Sequence, residues 1–349
     1  MKILLLSRDA SGLDPASATS TRWKLLRDQG VHLAIVVMQR SSGRWEDKGL
    51  FVIGGGGGFF SRMWRAYVLA KASVREADLI SAQDPFELGF LAFCLAKKYK
   101  KKLEIQDHGG FFDGEKNDEP LWFLRKYLAR FLVKRANIVR TVSPKSYAVL
   151  QEQGVHVYHQ PIAVQDRFLS ATYQPAQNHI VAVSRLIPVK RIAFLLQMFR
   201  IAKQSCHELR LTIVGDGPEK ASLISLTQSL GIHDAVAFVG QTDPLPYLEQ
   251  ASLFVMTSLH EGWGVAAVEA ASVGVPVLMT DTGCAHWLEE RGLARLCVCE
   301  DPEVAAKELL ATLKGSPAMR LHEPGMSTRS LARAQIQAWS QTCTISRTC

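Results

Sequence analysis

Short apolar runs alternate with helical patterns along the first half of the chain. Runs that suit buried strands are KILLLS, HLAIVVMQ, DLISAQ, LEIQDH, ANIVRTVS and HVYHQP. Between them, apolar residues recur at helical spacing around STRWKLLRDQG, SRMWRAYVLAKASVREA, PFELGFLAFCLAKKY and a basic segment from Leu121 to Ala136. Alternation of strand and helix predicts a doubly wound parallel sheet.

A second series of the same kind begins near Asn178. Its apolar runs are HIVAVSRL, LRLTIVGDG, AVAFVG, LFVMTS and VPVLMTD. We therefore predict an α/β protein of two Rossmann-like domains, 1–165 and 166–349, that face a central cleft. The proline-containing segment from Gln160 to Asn178 is the linker candidate, the glycine run Gly54–Gly58 is a flexible-loop candidate, and the last helical stretch is able to pack back on the first domain.

Composition limits the classes of protein that fit this pattern. The 349 residues are 47% hydrophobic and 21% charged, which is typical of globular chains and enough for two domains. The N-terminal run is short and soon reaches charged residues, unlike a signal peptide, and no stretch has the length and apolar character of a membrane span. Seven scattered cysteines indicate neither a disulfide framework nor a metal site, so we expect a cytoplasmic protein.

Positive charge is concentrated in the first half of the chain. Residues 1–165 contain 25 Lys and Arg against 16 Asp and Glu, and the remainder contains 16 against 17. Such a field suits nucleic acid, anionic lipid or a phosphorylated substrate. The segment 121–135 combines aromatic bulk with five cations, which fits either a peripheral site on an anionic bilayer or a core helix with a solvated basic edge.

Phosphate-seeking groups follow several strands of the second half. Arg185 comes directly after the run HIVAV, and Lys190 follows shortly, so the two could clamp a diphosphate or form a solvated basic patch. After the run LFVMTS, glycines lead into a helix whose first N–H groups attract phosphate. Glu261 and Glu269 flank this helix start, and carboxylates there suit hydrogen bonds to sugar hydroxyls.

These motifs are similar to those of a known family. The segments SRLIPVKR, IVGDGPE and EGWGVAAVE, in this order, resemble the retaining glycosyltransferases of family 4 with the GT-B fold, also called group 1. The resemblance implies that Arg185 and Lys190 hold the diphosphate of a nucleotide-sugar donor. It also implies that Glu261 faces the transferred sugar and that Glu269 binds the ribose.

Other donor contacts are implied by the same resemblance. Among the candidates are Gly215, Val239 near the nucleobase, and the loop residues Gly262, Trp263, Gly264 and Val265. His108, which ends the run LEIQDH, is expected to bind a hydroxyl of the donor sugar. The loop after the first strand has a single glycine where the family usually has a pair, so the resemblance does not identify the acceptor contacts. Our candidates for these contacts are Ser20 and Arg22, at the start of the next helix.

The function expected from the sequence is therefore retaining transfer of a hexosyl group from a UDP- or GDP-linked sugar to a glycan or a lipid-linked acceptor. The chain contains no D-x-D pair, so no metal and no cofactor are expected. Cell-envelope polysaccharide or glycolipid synthesis, on the inner face of the plasma membrane, is the expected setting. The alternatives are a nucleotide-sugar epimerase, a phosphorylase, a non-catalytic nucleotide-sugar-binding protein and a nucleic-acid-binding protein, although no nucleic-acid motif is recognised.

Overall fold

The computed structural model describes residues 1–109, 111–112, 122–297, 300–315, 320–321 and 326–344. The chain divides into two compact units, Met1–Ile162 with Thr328–Cys349, and Ala163–Ser327. The predicted boundary after residue 165 lies three residues beyond the end of the first segment. Leu121 and Cys299 lie outside the described residues.

The first unit is built on an eight-stranded sheet in the order β3-β4-β2-β1-β5-β6-β7-β8. All neighbouring pairs are parallel except β3 with β4. The strands are β1 (Lys2–Ser7), β2 (His32–Val37), β3 (Ser42–Asp47), β4 (Leu50–Gly55), β5 (Leu79–Ala82), β6 (Lys102–Asp107), β7 (Ile138–Thr141) and β8 (Val157–His159). The helices are α1 (Ala18–Asp28), α2 (Phe59–Ser73), α3 (Glu87–Tyr99), α4 (Trp122–Val133), α5 (Pro144–Glu152) and the C-terminal α13 (Thr328–Thr344).

The two faces of this sheet have separate apolar cores. On one face, Leu4, Leu6 and Ile105 pack with residues of α2, α3 and α4. On the other, Ile3 and Leu5 pack with Trp23 of α1 and with Trp339 of α13, whose side chain is fully buried. Burying a large aromatic ring is worth several kcal/mol, about 3–5 by truncation to alanine, so α13 is firmly held on the first unit.

The edge hairpin formed by β3 and β4 was missed by the sequence analysis. Its turn has positive φ angles at Lys48 (45°) and Gly49 (86°), the backbone of a tight hairpin turn. The flexible-loop prediction for Gly54–Gly58 is wrong in part, because Gly54 and Gly55 complete β4 and Gly58 caps α2. A run of glycines carries no alternation of polar and apolar side chains, so the pattern could not show the strand.

The second unit contains a six-stranded, all-parallel sheet in the order β11-β10-β9-β12-β13-β14. Its strands are β9 (His179–Val183), β10 (Arg210–Val214), β11 (Val236–Gly240), β12 (Leu253–Met256), β13 (Val277–Met279) and β14 (Ala294–Leu296). Its helices are α6 (Asp166–Leu169), α7 (Ile192–Ser205), α8 (Lys220–Ser229), α9 (Leu245–Glu249), α10 (Val265–Val273), α11 (Ala285–Glu289) and α12 (Pro302–Gly315). Apolar side chains of β9, β10, α7 and α12 form a core cluster.

Candidate functional site

The strand order of the second unit creates a place for a ligand. β9 lies between β10 and β12, so the chain proceeds to one side after β9 and to the other side after β12. In open parallel sheets, ligands bind at the carboxyl ends of the strands where the order reverses in this way. Arg185 follows β9 and Glu261 follows β12, so both loops start at this switch point.

Lys190 and Glu261 form an ion pair at the switch point. The distance from Lys190 Nζ to Glu261 Oε1 is 2.6 Å, and the two side chains are only 18% and 13% exposed. An ion pair that is largely removed from water is strong only when further hydrogen bonds complete it. Such bonds are present, since Ser258 Oγ donates to the same Glu261 oxygen at 2.7 Å.

Backbone contacts fix the two loops that carry this ion pair. Glu261 N donates to Thr282 Oγ1 at 2.8 Å, and Thr257 Oγ1 donates to Lys190 O at 3.1 Å. Leu259 N donates to Val189 O at 2.8 Å. Lys190 and Glu261 are therefore held from both sides. No pattern in the sequence indicated that Ser258 and Thr282 support them.

Arg185 is close in sequence to Lys190, but its side chain is not buried or paired as those of Lys190 and Glu261 are. Its side chain is exposed, and its guanidinium has no hydrogen-bond or ion-pair partner among the described residues. The turn after β10 supports the segment that carries it, because Leu186 N donates to Asp216 O at 2.9 Å. A methyl group at Gly217 would lie 2.4 Å from Leu186 O, so this close approach requires glycine.

Gly215, two residues earlier in the same turn, makes an even closer approach to the segment after β9. Its φ is 142°, and a methyl group there would lie 1.8 Å from Ser184 O. Gly215 N donates to Gly240 O at 2.8 Å, which joins the carboxyl ends of β10 and β11. Val239 lies on β11 with its side chain partly exposed. Gly215 thus has a structural role, and Val239 lies two strands away from β9.

The start of α10 presents backbone donors to the switch point. Gly264 has a left-handed backbone, with φ of 88°, and caps the helix. The N–H groups of Val265 and Ala266 have no acceptor among the described residues. Because the first N–H groups of a helix carry partial positive charge, this turn can receive an anion.

The Trp263 ring does not take part in that surface. Its side chain is 2% exposed, and its ring centroid lies 5.3 Å from that of Trp287. A ligand at this loop would meet the backbone of Gly262 and Trp263, whereas the indole packs inside the unit.

Glu269 lies on α10, one turn beyond the first N–H groups. Burial raises the pKa of Glu269 to about 7. The Arg167 cation opposes this rise, and the Asp243 carboxylate adds to it. Arg167 on α6 forms an ion pair with Asp243, with a distance of 2.6 Å between Nη1 and Oδ2. Neither residue was predicted as a site residue from the sequence, and Arg167 lies on α6, within the segment predicted to be a linker.

Three candidate residues, His108, Ser20 and Arg22, lie in the first unit. His108 follows β6, and its Nε2 lies 2.8 Å from Gln106 Oε1. Burial, followed by the Arg140 and Arg22 cations, lowers the pKa of His108, so the imidazole is neutral at pH 7. Arg22 is exposed on α1, but Ser20 is fully buried and its hydroxyl donates to Asp14 O at 2.7 Å. Ser20 therefore stabilises the loop before α1 and offers no surface to an acceptor.

Comparison with known proteins gives a family match within the second unit. Residues 170–323 match the family model of the group 1 glycosyl transferases. That segment contains every candidate residue of the second unit.

Curated relatives match this chain over a segment about as long as the one that matches the family model. The lipopolysaccharide core biosynthesis glycosyltransferase LpsD of Rhizobium meliloti is 30% identical over 142 residues, which cover 40% of this chain and 40% of that protein. The N-acetyl-alpha-D-glucosaminyl L-malate synthase of Bacillus anthracis is 30% identical over 142 residues, covering 40% of this chain and 37% of that protein. The chain thus matches about two fifths of the length of these relatives.

Solved structures match over nearly the whole chain. The sucrose-phosphate synthase of Thermosynechococcus elongatus superposes with a TM-score of 0.75 at 18% identity, over 98% of this chain and 96% of that one. Anabaena HepE in complex with UDP gives a TM-score of 0.72 at 18% identity, over 99% of this chain and 98% of that one. These likenesses confirm the predicted GT-B fold.

The described residues contain neither a metal-binding cluster nor a membrane-spanning helix. No group of three or more His, Cys, Asp or Glu side chains there could hold a metal ion. In the same part of the chain, no helix is both long and apolar enough to cross a bilayer.

Proposed function

We propose that this protein is a retaining glycosyltransferase of family 4 that transfers a hexosyl group from a nucleotide-sugar donor. The observation that carries the proposal is the Lys190–Glu261 ion pair at the switch point of the second sheet, with Arg185 and the first turn of α10 at the same edge. This arrangement combines groups that attract phosphate with one carboxylate that can accept hydrogen bonds from a sugar. The match of residues 170–323 to the group 1 glycosyl transferases supports it.

In the proposed reaction, the bond between the anomeric carbon and the donor phosphate oxygen breaks. The acceptor hydroxyl oxygen bonds to the same face of that carbon, and its proton passes to the departing phosphate. Negative charge grows on the diphosphate as the bond breaks, so Arg185, Lys190 and the N–H groups of α10 lower the barrier by stabilising it. These groups supply the positive charge that a metal ion supplies in other transferases, so we propose that this reaction requires no metal ion.

The two glutamates have different proposed roles. Lys190 and Ser258 hold the carboxylate of Glu261, which orients it to accept hydrogen bonds from hydroxyls of the transferred sugar. Glu269 accepts hydrogen bonds from the ribose of the nucleotide. Solved relatives with this fold were crystallised with UDP and with UDP-glucose, which supports a nucleotide-linked sugar as the donor.

We also propose that the acceptor is part of a glycan or a glycolipid and that transfer takes place at the cytoplasmic face of an anionic membrane. The relative LpsD acts in lipopolysaccharide core biosynthesis, which supports an acceptor in the cell envelope. The structure offers a suitable surface on α2, α3 and α4, which lie on the same face of the first sheet.

This surface, the α2–α4 face, combines exposed aromatic rings with cations. Phe60 is 86% exposed, Trp64 67%, Phe123 68% and Tyr127 76%. Helices α2 and α4 each carry three cations and no acid, and Glu87 is the single acid of α3. Aromatic rings and basic side chains together bind the interface of an anionic bilayer. Since Ala129 and Leu132 of α4 are buried, this helix has both a core face and an exposed face.

Product analysis tests transfer against the epimerase alternative. Purified protein is incubated with a nucleotide sugar, with and without a membrane extract as the acceptor source, and the products are separated by mass and by sugar stereochemistry. A transferase releases nucleoside diphosphate in proportion to new glycoside, and Arg185→Ala abolishes both. An epimerised nucleotide sugar formed without acceptor would contradict the proposal.

A further inference from the structure

A buried polar network crosses the first sheet on the face against which α13 packs. Three neighbouring strands, β5, β6 and β7, supply its members, which are Ser81, Glu104, Gln106 and Arg140. Ser81, Glu104 and Gln106 are each at most 1% exposed. Burying polar groups is costly unless each finds a partner, so the hydrogen bonds of this network define its arrangement.

The Gln106 side-chain amide lies at the centre of the network, between two opposite charges. Its Nε2 donates to Ser81 Oγ at 2.6 Å and to Glu104 Oε2 at 3.0 Å. Its Oε1 accepts a hydrogen bond from Arg140 Nη2. The carboxylate thus faces the amide nitrogen and the guanidinium faces the amide oxygen, so the two charges balance each other and match the direction of the amide dipole.

These hydrogen bonds allow only one orientation of the Gln106 amide. Ser81 Oγ gives its single hydrogen to Glu104 Oε2, so towards Gln106 it can only accept. The Glu104 carboxylate also only accepts. Exchanging the amide oxygen with the amide nitrogen would set an oxygen against these two acceptors and N–H groups against the guanidinium. The Gln106 oxygen therefore faces Arg140.

The fixed oxygen of Gln106 determines which nitrogen of His108 carries the ring hydrogen. His108 Nε2 lies 2.8 Å from Gln106 Oε1, so a hydrogen on Nε2 completes a hydrogen bond, whereas a bare Nε2 would face a second acceptor. Arg140 Nη2 lies 3.4 Å from the same nitrogen, and a cation beside the ring disfavours a second ring proton. The neutral ring therefore keeps a lone pair on Nδ1. His108 is exposed, and its Nδ1 has no partner among the described residues.

We propose that Gln106, held between Glu104 and Arg140, is a positioning residue that fixes the hydrogen of His108 on Nε2, so that Nδ1 accepts a hydrogen bond from a hydroxyl of the donor sugar. The sequence already predicts that His108 contacts the donor sugar. The network adds which nitrogen makes the contact and which residues determine it. A ligand atom at Nδ1 must carry a hydrogen, so a hydroxyl fits there and a carboxylate or phosphate oxygen does not.

The tautomer can be measured in the free protein. The full-length chain is labelled with ¹⁵N-histidine, and the ring signals of His108 are assigned by their loss in His108→Gln. Protonated and bare ring nitrogens give well-separated ¹⁵N signals, and the couplings to the ring carbon-bound hydrogens distinguish Nε2 from Nδ1. We expect the hydrogen of native His108 on Nε2. A native chain with the hydrogen mainly on Nδ1 would overturn the proposal, and this measurement does not depend on the folding of any variant.

Two variants test whether Gln106 is the residue that fixes the tautomer. Gln106→Met removes the acceptor, and the Arg140 guanidinium is then free to donate to His108 Nε2, so a large fraction of the ring hydrogen should move to Nδ1. Tyr158→Phe is the matched control, because it removes the 2.8 Å hydrogen bond from Tyr158 Oη to Glu104 Oε1 and leaves those of Gln106 in place. It should keep the native tautomer. A folded Gln106→Met with its hydrogen still entirely on Nε2 would show that Gln106 has no such role.

The contact with the sugar rests on the proposed function and is tested separately. UDP-glucose, GDP-mannose and ADP-glucose are added in turn to the labelled protein. The donor that binds should move the Nδ1 signal in the direction expected for an accepted hydrogen bond, and Gln106→Met should bind it roughly fivefold to tenfold more weakly, whereas Tyr158→Phe binds it like the native chain. A donor that binds without moving the Nδ1 signal overturns the sugar contact. If no nucleotide sugar binds but the hydrogen is on Nε2, the proposed function fails and the role of Gln106 stands.

Discussion

At the scale of single residues, the Lys190–Glu261 pair serves both the fold and the proposed chemistry. Each side chain is less than one fifth exposed, and each neutralises the other. Removing one partner leaves a poorly solvated charge, whereas removing both leaves none. Stability and catalysis should therefore respond differently to single and double substitutions.

We predict that Lys190→Ala lowers the free energy of unfolding by about 1–3 kcal/mol, less than the value for a fully buried pair because some solvent reaches it. Adding Glu261→Gln should restore most of this stability but no activity. Chemical denaturation of the single and double variants checks the first part and sugar transfer checks the second. A double variant as unstable as Lys190→Ala would show that the ion pair is not the reason for the loss.

Glu269 gives a prediction on pH. Burial raises its pKa to about 7, above the ordinary value of 4.5, so the folded state favours the protonated carboxyl. Its contribution to stability is full below pH 4.5 and is lost as the pH rises through 7. Glu269→Gln, which cannot ionise, should flatten the decline of the melting temperature between pH 5 and pH 8. An equally steep decline in the variant would exclude Glu269 as its source.

Donor affinity should change in the opposite direction, because ribose hydroxyls donate to the ionised carboxylate. The native chain is expected to bind its nucleotide sugar more tightly at pH 8 than at pH 6. Titration calorimetry at the two pH values checks this, with Glu269→Gln as the variant in which the difference should disappear. The two results together separate the stability effect of Glu269 from its proposed role in binding.

At the scale of elements, the loop after β10 positions the loop after β9. Gly217 touches the backbone of Leu186, the residue after Arg185, at a distance that excludes a side chain. A change in this turn should therefore act on the donor site from a distance. The sequence motif IVGDGPE marked the glycines but could not show which neighbour they touch.

We predict that Gly217→Ala destabilises the chain by about 1–3 kcal/mol, the usual cost of forcing an extra carbon into a packed site, and weakens donor binding. Gly315→Ala is the matched control, since a methyl group there meets nothing within 4 Å. Denaturation and donor titration of both variants give the comparison. Donor binding by Gly217→Ala at native strength would mean that the turn does not position Arg185.

Elements also show how far the sequence could predict the structure. Alternating patterns predicted both parallel sheets, because buried strands and amphipathic helices leave distinct periods. The β3–β4 hairpin was missed because Gly54 and Gly55 have no side chains to alternate. Arg140 and Glu104 were not singled out, although a charged residue inside a short apolar strand is a usable signal. Arg167 had no such signal, since its contact with Asp243 depends on tertiary packing.

At the scale of the whole molecule, 8 of the 25 Lys and Arg residues in the first half of the chain belong to α2, α3 and α4, the helices of the α2–α4 face. The exposed rings of Phe60 and Trp64 on α2 add apolar area that the sequence analysis had noted only in the segment 121–135. A bilayer is the proposed partner because the rings and the cations share one surface. Both parts are needed for interfacial binding.

We predict that Phe60→Ser with Trp64→Ser weakens the affinity for vesicles containing phosphatidylglycerol by about a hundredfold or more, measured by co-sedimentation, since each exposed ring adds about 1.5–3 kcal/mol when buried. Binding to neutral vesicles should be weak for every variant, and high salt should weaken binding to anionic ones. Ile224→Ser, an exposed apolar residue on α8, is the control. Equal binding by the double variant and the native chain would contradict the proposed surface.

The donor site is the centre of the account, and donor binding tests it most directly. UDP-, GDP- and ADP-linked sugars are compared by the shift that each causes in the melting temperature of the native chain, of Arg185→Ala and of Glu269→Ala. We predict that one donor stabilises the native chain and that both substitutions weaken this stabilisation. If no nucleotide sugar shifts the melting temperature at millimolar concentration, the proposal of an active transferase with its donor site at Arg185 and Glu269 is contradicted.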